Sequence, residues 1–371
     1  MTTTNFELLA DDIRRQPDFL RASIPEVRRI AEAVATQLGD RPSCVYLVGC
    51  GDSLNVGMAT RFAWQQAAGL PVEAVPALTF SRFVVGGVPA DALVIALSQS
   101  GTVSRVVEVV RRSRNRGLNT IAITGSPESP LAREPSNQHL VMAFPKLGFV
   151  PGTTSYVFNL VVFYELAAAV GGRFGSSQTP DEIRSQVDML PELIANSLDS
   201  NWDVARTHAD AIDRDASMLI LGAGPQLANA HFLARKMFEV TQITALSQET
   251  EEYAHDEISI VDERMTAVQF LPVDDASDRA LEILDSLLEL GCATAVVTER
   301  GSAPHIDSRV TWRYEVDRGL NQLCNAALFA LPPSLFTYEV ALAVGGSYYA
   351  TNDPVHAKHG DRLIYGSQVL A

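Results

Sequence analysis

ALVIALSQSGTVSRVVEVVRR, residues 92–112, is the stretch whose reading decides the fold. An apolar run, Ala92 to Leu97, stops abruptly at Ser98-Gln99-Ser100-Gly101-Thr102, and apolar residues then recur at helical spacing. A buried strand that empties into hydroxyls, an amide and a glycine just ahead of a helix has two readings. Ser100 or Thr102 alone would serve as an N-cap. Five small polar residues in a row exceed that need. In a strand–loop–helix unit, their backbone N–H groups and the helix dipole converge on one spot, which suits a phosphate or sulfonate.

The same design is written twice. VYLVGCGDSLNVGMATRF (45–62) and LILGAGPQLANAHFLARK (219–236) are each an apolar strand, a Gly-x-Gly turn and a helix, with Gly51 and Gly224 173 positions apart. Residues 92–125 and 266–299 form a second pair, in which Gly117 and Gly291, and Thr124 and Thr298, stand 174 apart. Alternating strands and helices in both copies predict an α/β chain: two tandem doubly wound parallel sheets related by internal duplication. The predicted order is a helical lead-in over 1–40, a first domain over 41–172, a linker over 173–190, a second domain over 191–345 and an unpatterned tail over 346–371.

Composition excludes several classes. The chain has 371 residues and a net charge of −15, which speaks against a nucleic-acid partner; an anionic ligand must be held by local groups. Cys44, Cys50, Cys292 and Cys324 show neither disulfide nor zinc spacing. The opening MTTTNFELLADDIRRQ is unlike a signal peptide. The apolar segments 156–171 and 323–350 are interrupted by Glu165, Pro332-Pro333 and Glu339, so they read as core helices rather than membrane spans. A cytoplasmic protein is expected. A nicotinamide site is disfavoured, although Gly49-x-Gly51, Gly222-x-Gly224 and Glu73 begin its pattern: Leu54 and Leu227 stand where the third glycine belongs.

GCGDS followed by LSQSGT, with FVPGTTSYVF (149–158) as a third Ser/Thr-rich loop, resembles the SIS (sugar isomerase) family with paired domains. That resemblance covers the chain from about Val45 and implies flavodoxin-like domains acting on phosphosugars without a cofactor or metal. It implies an anion cradle of Cys50, Gly51, Ser53, Ser98, Gln99, Ser100, Thr102 and Thr153. The family has threonine two places after the loop glycine. Here Val103 stands there, which leaves Thr102 or Ser104 to take over and leaves phosphate and sulfonate both open.

In LARKMFEVTQITALSQETEEYAHDEISIVD (233–262), the resemblance implies Glu239 as the base of an aldose–ketose interconversion, Lys236 as the cation beside the enediolate, and His255 in ring opening. Lys236 and Glu239 at i, i+3 share a helix face; partial burial would tune such a carboxylate toward neutrality. The family brings this histidine from a neighbouring subunit, so a homodimer with shared sites is implied. Lys358 lies near a family tail lysine, one residue off the pattern. Met1-Thr2-Thr3 offers no N-terminal cysteine nucleophile, so amine chemistry would use free ammonia or run toward release. The blander readings are a surface ion pair for Lys236–Glu239 and a solvated residue for His255. A phosphosugar sensor without catalysis is the alternative of a different class, although the acidic N-terminus carries no basic DNA-binding element.

Overall fold

The structure, a computed structural model, describes residues 6–175, 177–215, 217–302 and 306–370. Residues 1–5, on which the signal-peptide and amino-terminal nucleophile expectations partly rest, lie outside this range, as does the last residue of the tail. The first sheet comprises β1 (Val45–Gly49), β2 (Val72–Pro76), β3 (Leu93–Leu97), β4 (Asn119–Thr124) and β5 (Gln138–Val141), in the order β2-β1-β3-β4-β5. The second comprises β6 (Met218–Gly222), β7 (Ala245–Glu249), β8 (Thr266–Phe270), β9 (Ala293–Glu299) and β10 (Trp312–Val316), in the order β10-β9-β8-β6-β7. Read from the other edge, the second order is the first one over again. All ladders are parallel, and β3, β6 and β8 are buried along their whole length, as strands covered on both faces must be.

The duplication reaches the backbone angles. Gly51 has φ 58° and ψ −130°, and Gly224 has φ 53° and ψ −127°. Each opens the helix that follows the first strand of its sheet, Asp52–Ala68 and Pro225–Lys236. Only glycine takes this conformation without strain. The two apolar segments read as core helices are so: Thr154–Phe174 and Ala326–Val344 are long and apolar enough to cross a membrane, yet 83% of each tested window is buried inside the protein.

The domain layout differs from the contiguous one expected. One compact unit consists of residues 21–146, 158–188 and 355–370 and holds β1–β5; the other consists of residues 6–20, 147–157 and 189–354 and holds β6–β10. The lead-in is helical as expected, Glu7–Arg14 and Gln16–Gln37, but is divided between the units. Most of the expected linker belongs to a 31-residue helix, Thr179–Ala209, whose start has Pro180, Asp181 and Glu182 in the first turn. The tail contains the helix Pro354–Ile364. None of its residues is buried, so no apolar stripe betrays it in the sequence.

Two outcomes follow for stability. Gly101 has φ 66°, and a Cβ there would lie 2.0 Å from Ser129 Oγ and 2.6 Å from Thr124 Oγ1. Gly101→Ala is expected to lower unfolding free energy by about 2 kcal/mol or more in urea titration. His208 is fully buried in the unit of β6–β10, stacked between Trp312 and Phe336 at 4.1 Å each, with Nδ1 3.0 Å from Tyr314 Oη. Burial lowers its pKa from 6.5 to about 3. Between those values the unfolded chain binds a proton that the folded one refuses, so stability falls as pH falls. Relative to a folded His208→Phe variant, wild-type protein should lose about 1.4 kcal/mol of extra stability per pH unit below 6.5.

Candidate functional site

In the unit of β1–β5, β1 and β3 are neighbours, and the loops leaving their carboxyl ends, 50–53 and 98–102, flank the point where the strand order reverses. Crevices of this kind are where open α/β sheets take their ligands. Gly101 N donates to both Ser98 O (2.9 Å) and Ser98 Oγ (3.1 Å), which closes the second loop on itself. Ser100 Oγ and Thr102 Oγ1 stand 2.8 Å apart, and both residues are half-buried. The helix that follows, Ser104–Asn115, has Val103 at its N-cap and no side-chain cap. The loop hydroxyls are therefore not spent on capping this helix, whose Val106 N and Val107 N both donate to Val103 O.

Val103, at the family's threonine position, packs its side chain on the apolar core, and Ser104 Oγ donates to Tyr365 O at 2.8 Å. Of the two replacements considered, Ser104 is thus engaged and Thr102 remains. Gln99 is held from two directions. Its carbonyl accepts from Gly125 N (3.0 Å), and its Oε1 accepts from Asn159 Nδ2 (2.9 Å). Its Nε2 is buried with no hydrogen-bond acceptor among the described residues. An orphaned buried donor calls for an oxygen acceptor. In the first loop, Gly51 N-caps the helix without a side-chain bond, and Cys50 and Ser53 are half-buried beside it.

Behind the cradle, burial pushes the Glu108 carboxyl up, but the hydrogen bond from Arg82, the Leu370 N–H and the charge of Arg105 outweigh it and hold it at about 2. Leu370 N donates to Glu108 Oε2 at 3.1 Å, and Arg105 bonds Gln368 O, so the end of the tail is strapped along the helix that the anion loop opens.

In the unit of β6–β10, the helix Pro225–Lys236 runs into a π-helical turn, Met237–Thr241, whose third residue is Glu239. Such turns recur at functional sites. Lys236 is 1% exposed, so the surface ion-pair reading fails. Its Nζ lies 2.5 Å from Glu239 Oε2 and 5.2 Å from the centroid of the Phe232 ring. Phe232 in turn stacks on Tyr156 at 4.1 Å and 10°. Polar groups on the same helix are joined into a chain: Tyr156 Oη donates to Asn229 Oδ1, Asn229 Nδ2 to Gln226 Oε1, and Gln226 Nε2 to Asn325 Oδ1. The Glu239 side chain is 25% exposed. A buried ammonium group thus backs a carboxylate that reaches solvent.

Three further expected residues have surroundings of their own. His255 is 66% exposed, with Nε2 3.6 Å from Glu251 Oε1, so the chain pairs it with Glu251 rather than with Glu239. The strand β7 intervenes, and five extended residues carry the chain about 16 Å. Thr153 is buried, and its Oγ1 donates to Asp12 Oδ2 at 2.7 Å. Asp12, which also accepts from Thr154 N at 3.0 Å, takes the Thr153 hydroxyl at the start of the helix Thr154–Phe174. Lys358 is exposed on the tail helix.

Sequence reasoning missed Asn159, Tyr156 and Phe232. A lone asparagine within SYVFNLVVFY was the available signal for the first; aromatic residues at helical spacing carry none for the others.

The SIS domain model matches residues 41–169. The glutamine–fructose-6-phosphate aminotransferase [isomerizing] of Bradyrhizobium diazoefficiens is 25% identical over 305 residues, 81% of this chain and 49% of that protein. The chain spans about half the length of the curated relatives it matches. Among solved structures, the C-terminal domain of glucosamine-fructose-6-phosphate aminotransferase from Francisella tularensis superposes with a TM-score of 0.83 at 20% identity, covering 92% of this chain and 97% of that one. Tagatose-6-phosphate ketose/aldose isomerase from Escherichia coli gives 0.75 at 17% identity, covering 94% and 96%. At these identities the structural likeness is one of fold. Residues 41–169 thus match a SIS domain, with the Ser98–Thr102 loop at its switch point, and the second sheet repeats the strand order of the first.

Proposed function

We propose that this chain is a phosphosugar isomerase acting on a ketose or amino-sugar 6-phosphate. The observation that carries this reading is the Lys236–Glu239 pair, one member fully buried and the other reaching solvent from a π turn. Within the unit of β1–β5, Ser53, Ser98, Gln99, Ser100 and Thr102 are read as phosphate-binding, with the orphaned Gln99 Nε2 donating to an oxygen; the proton chemistry is read separately, within the unit of β6–β10. The Glu239 carboxylate takes the C1 proton of the open-chain ketose. The electron pair left behind forms the C1=C2 double bond, and the charge moves to O2, where the Lys236 ammonium group stabilises it. Return of the proton to C2, with transfer of the O1 proton to O2, yields the aldose. No cofactor is consumed. The relatives' names join isomerisation to amino transfer, which supports assaying ammonia and released amines together with the isomerised sugar.

Glu239→Gln is expected to abolish interconversion of a panel of hexose and hexosamine 6-phosphates while leaving their binding, read by thermal shift, within a few-fold of wild type. Surviving turnover would remove Glu239 from its role. A sugar phosphate that stabilises the wild-type protein and is never converted would favour a sensor.

The exposure of His255 supports a homodimer in which one chain's histidine serves the other chain's Glu239. Mixing inactive Glu239→Gln with inactive His255→Ala should then restore roughly a quarter of wild-type activity, since half the exchanged dimers carry one intact site of two. No recovery after verified subunit exchange places the histidine outside a shared site.

A further inference from the structure

Gln242, immediately after the π turn, has φ 60° and ψ 20°, a left-handed conformation that residues with a Cβ adopt reluctantly. Its side chain folds back on the turn. Nε2 donates to Phe238 O (3.2 Å) and to Ser347 O (2.7 Å), and Oε1 accepts from Ser347 N (3.3 Å). The neighbouring carbonyl, Met237 O, is taken by Thr241 Oγ1 at 2.7 Å. On the other side, the segment Gly345–Ala350 is pressed against the same turn: a Cβ on Gly346 would lie 2.1 Å from Val240 O. That segment is itself unusual, with Tyr349 and Ala350 at φ 54° and 52°. Glu239 therefore sits between two residues whose carbonyls are respectively hydrogen-bonded and tightly packed.

Backbone strain held in place by hydrogen bonds beside a reactive group is a mark of preorganisation. We infer that Gln242 is a positioning residue: its amide clamps the π turn to the 345–348 segment and so holds the Glu239 carboxylate against Lys236. This rests on the reading of Glu239 as the base. Nothing in the sequence singled Gln242 out, because its left-handed backbone and its two carbonyl partners exist only in the fold.

The test compares Gln242→Gly, which relieves the backbone and deletes the amide, with wild-type protein. If the residue served only its backbone angle, glycine would do as well or better. The clamp predicts a folded variant in which the amides of residues 238–241 exchange with deuterium about tenfold faster. It also predicts a kcat reduced roughly 10- to 100-fold with KM nearly unchanged, and a displaced acid limb in the pH dependence of kcat, which a merely structural role would leave in place. Should that variant not fold, Gln242→Asn tolerates the same backbone with an amide one methylene too short, and is read in the same way. Wild-type exchange and an unchanged kcat profile in a folded variant overturn the inference. If Glu239→Gln keeps its turnover, the base assignment fails instead, and exchange over 238–241 alone decides whether Gln242 fixes the turn.

Discussion

Burial of the Lys236 ammonium group is the constraint on which the second unit's chemistry depends. A cation removed from water must be compensated on the spot, and losing one partner of such a pair leaves an uncompensated charge that costs several kcal/mol. Glu239 supplies the opposite charge, and the face of Phe232, itself stacked on Tyr156, lies 5.2 Å from the ammonium group. The arrangement makes little sense as a stabilising device, since buried ion pairs contribute poorly to stability compared with apolar packing. It makes sense if the ammonium group has to meet a second negative charge, one that develops on a substrate and competes with the carboxylate.

The duplicated sheets show how one backbone accommodates opposite electrostatics. Gly51 and Gly224 share their angles to within a few degrees, and both sheets reverse order at the same place. At the first switch point the loop after β3 presents hydroxyls and an amide. The corresponding loop after β8 presents Asp274, and the end of β9 adds Glu299, whose Oε2 accepts from Val273 N at 2.8 Å. Burial pushes both carboxyls up. One reversal thus carries donors and the other carboxyl groups, on backbones that keep the same geometry.

This division also marks what the sequence made legible. Strand–loop–helix periodicity and glycine punctuation located the helices around both Gly-x-Gly turns and the anion loop, because these are local signals. The contact between Lys236 and Glu239 was legible because three residues along a helix is a fixed distance. His255 was not: sixteen residues that include a strand define no distance at all. The partner of Thr153 was not legible either, because a hydroxyl-rich loop gives no sign of a carboxylate 141 positions away, that of Asp12. The domain boundaries failed for a related reason. Composition along the chain suggests cuts in order, whereas each unit gathers three separate segments.

A π-helical turn is an α-helix holding one residue more than its hydrogen-bond ladder requires. The connection from Pro225 to β7 is consequently not a loop of adjustable length, although it ends in one. Removing one residue between Lys236 and Glu239 would turn the carboxylate by about 100° around the helix axis, away from the ammonium group. Removing one just after it would dissolve the left-handed end at Gln242. The position of this carboxylate is encoded in a residue count as firmly as in the residue itself, and insertions or deletions here are to be read as changes of chemistry rather than of spacing.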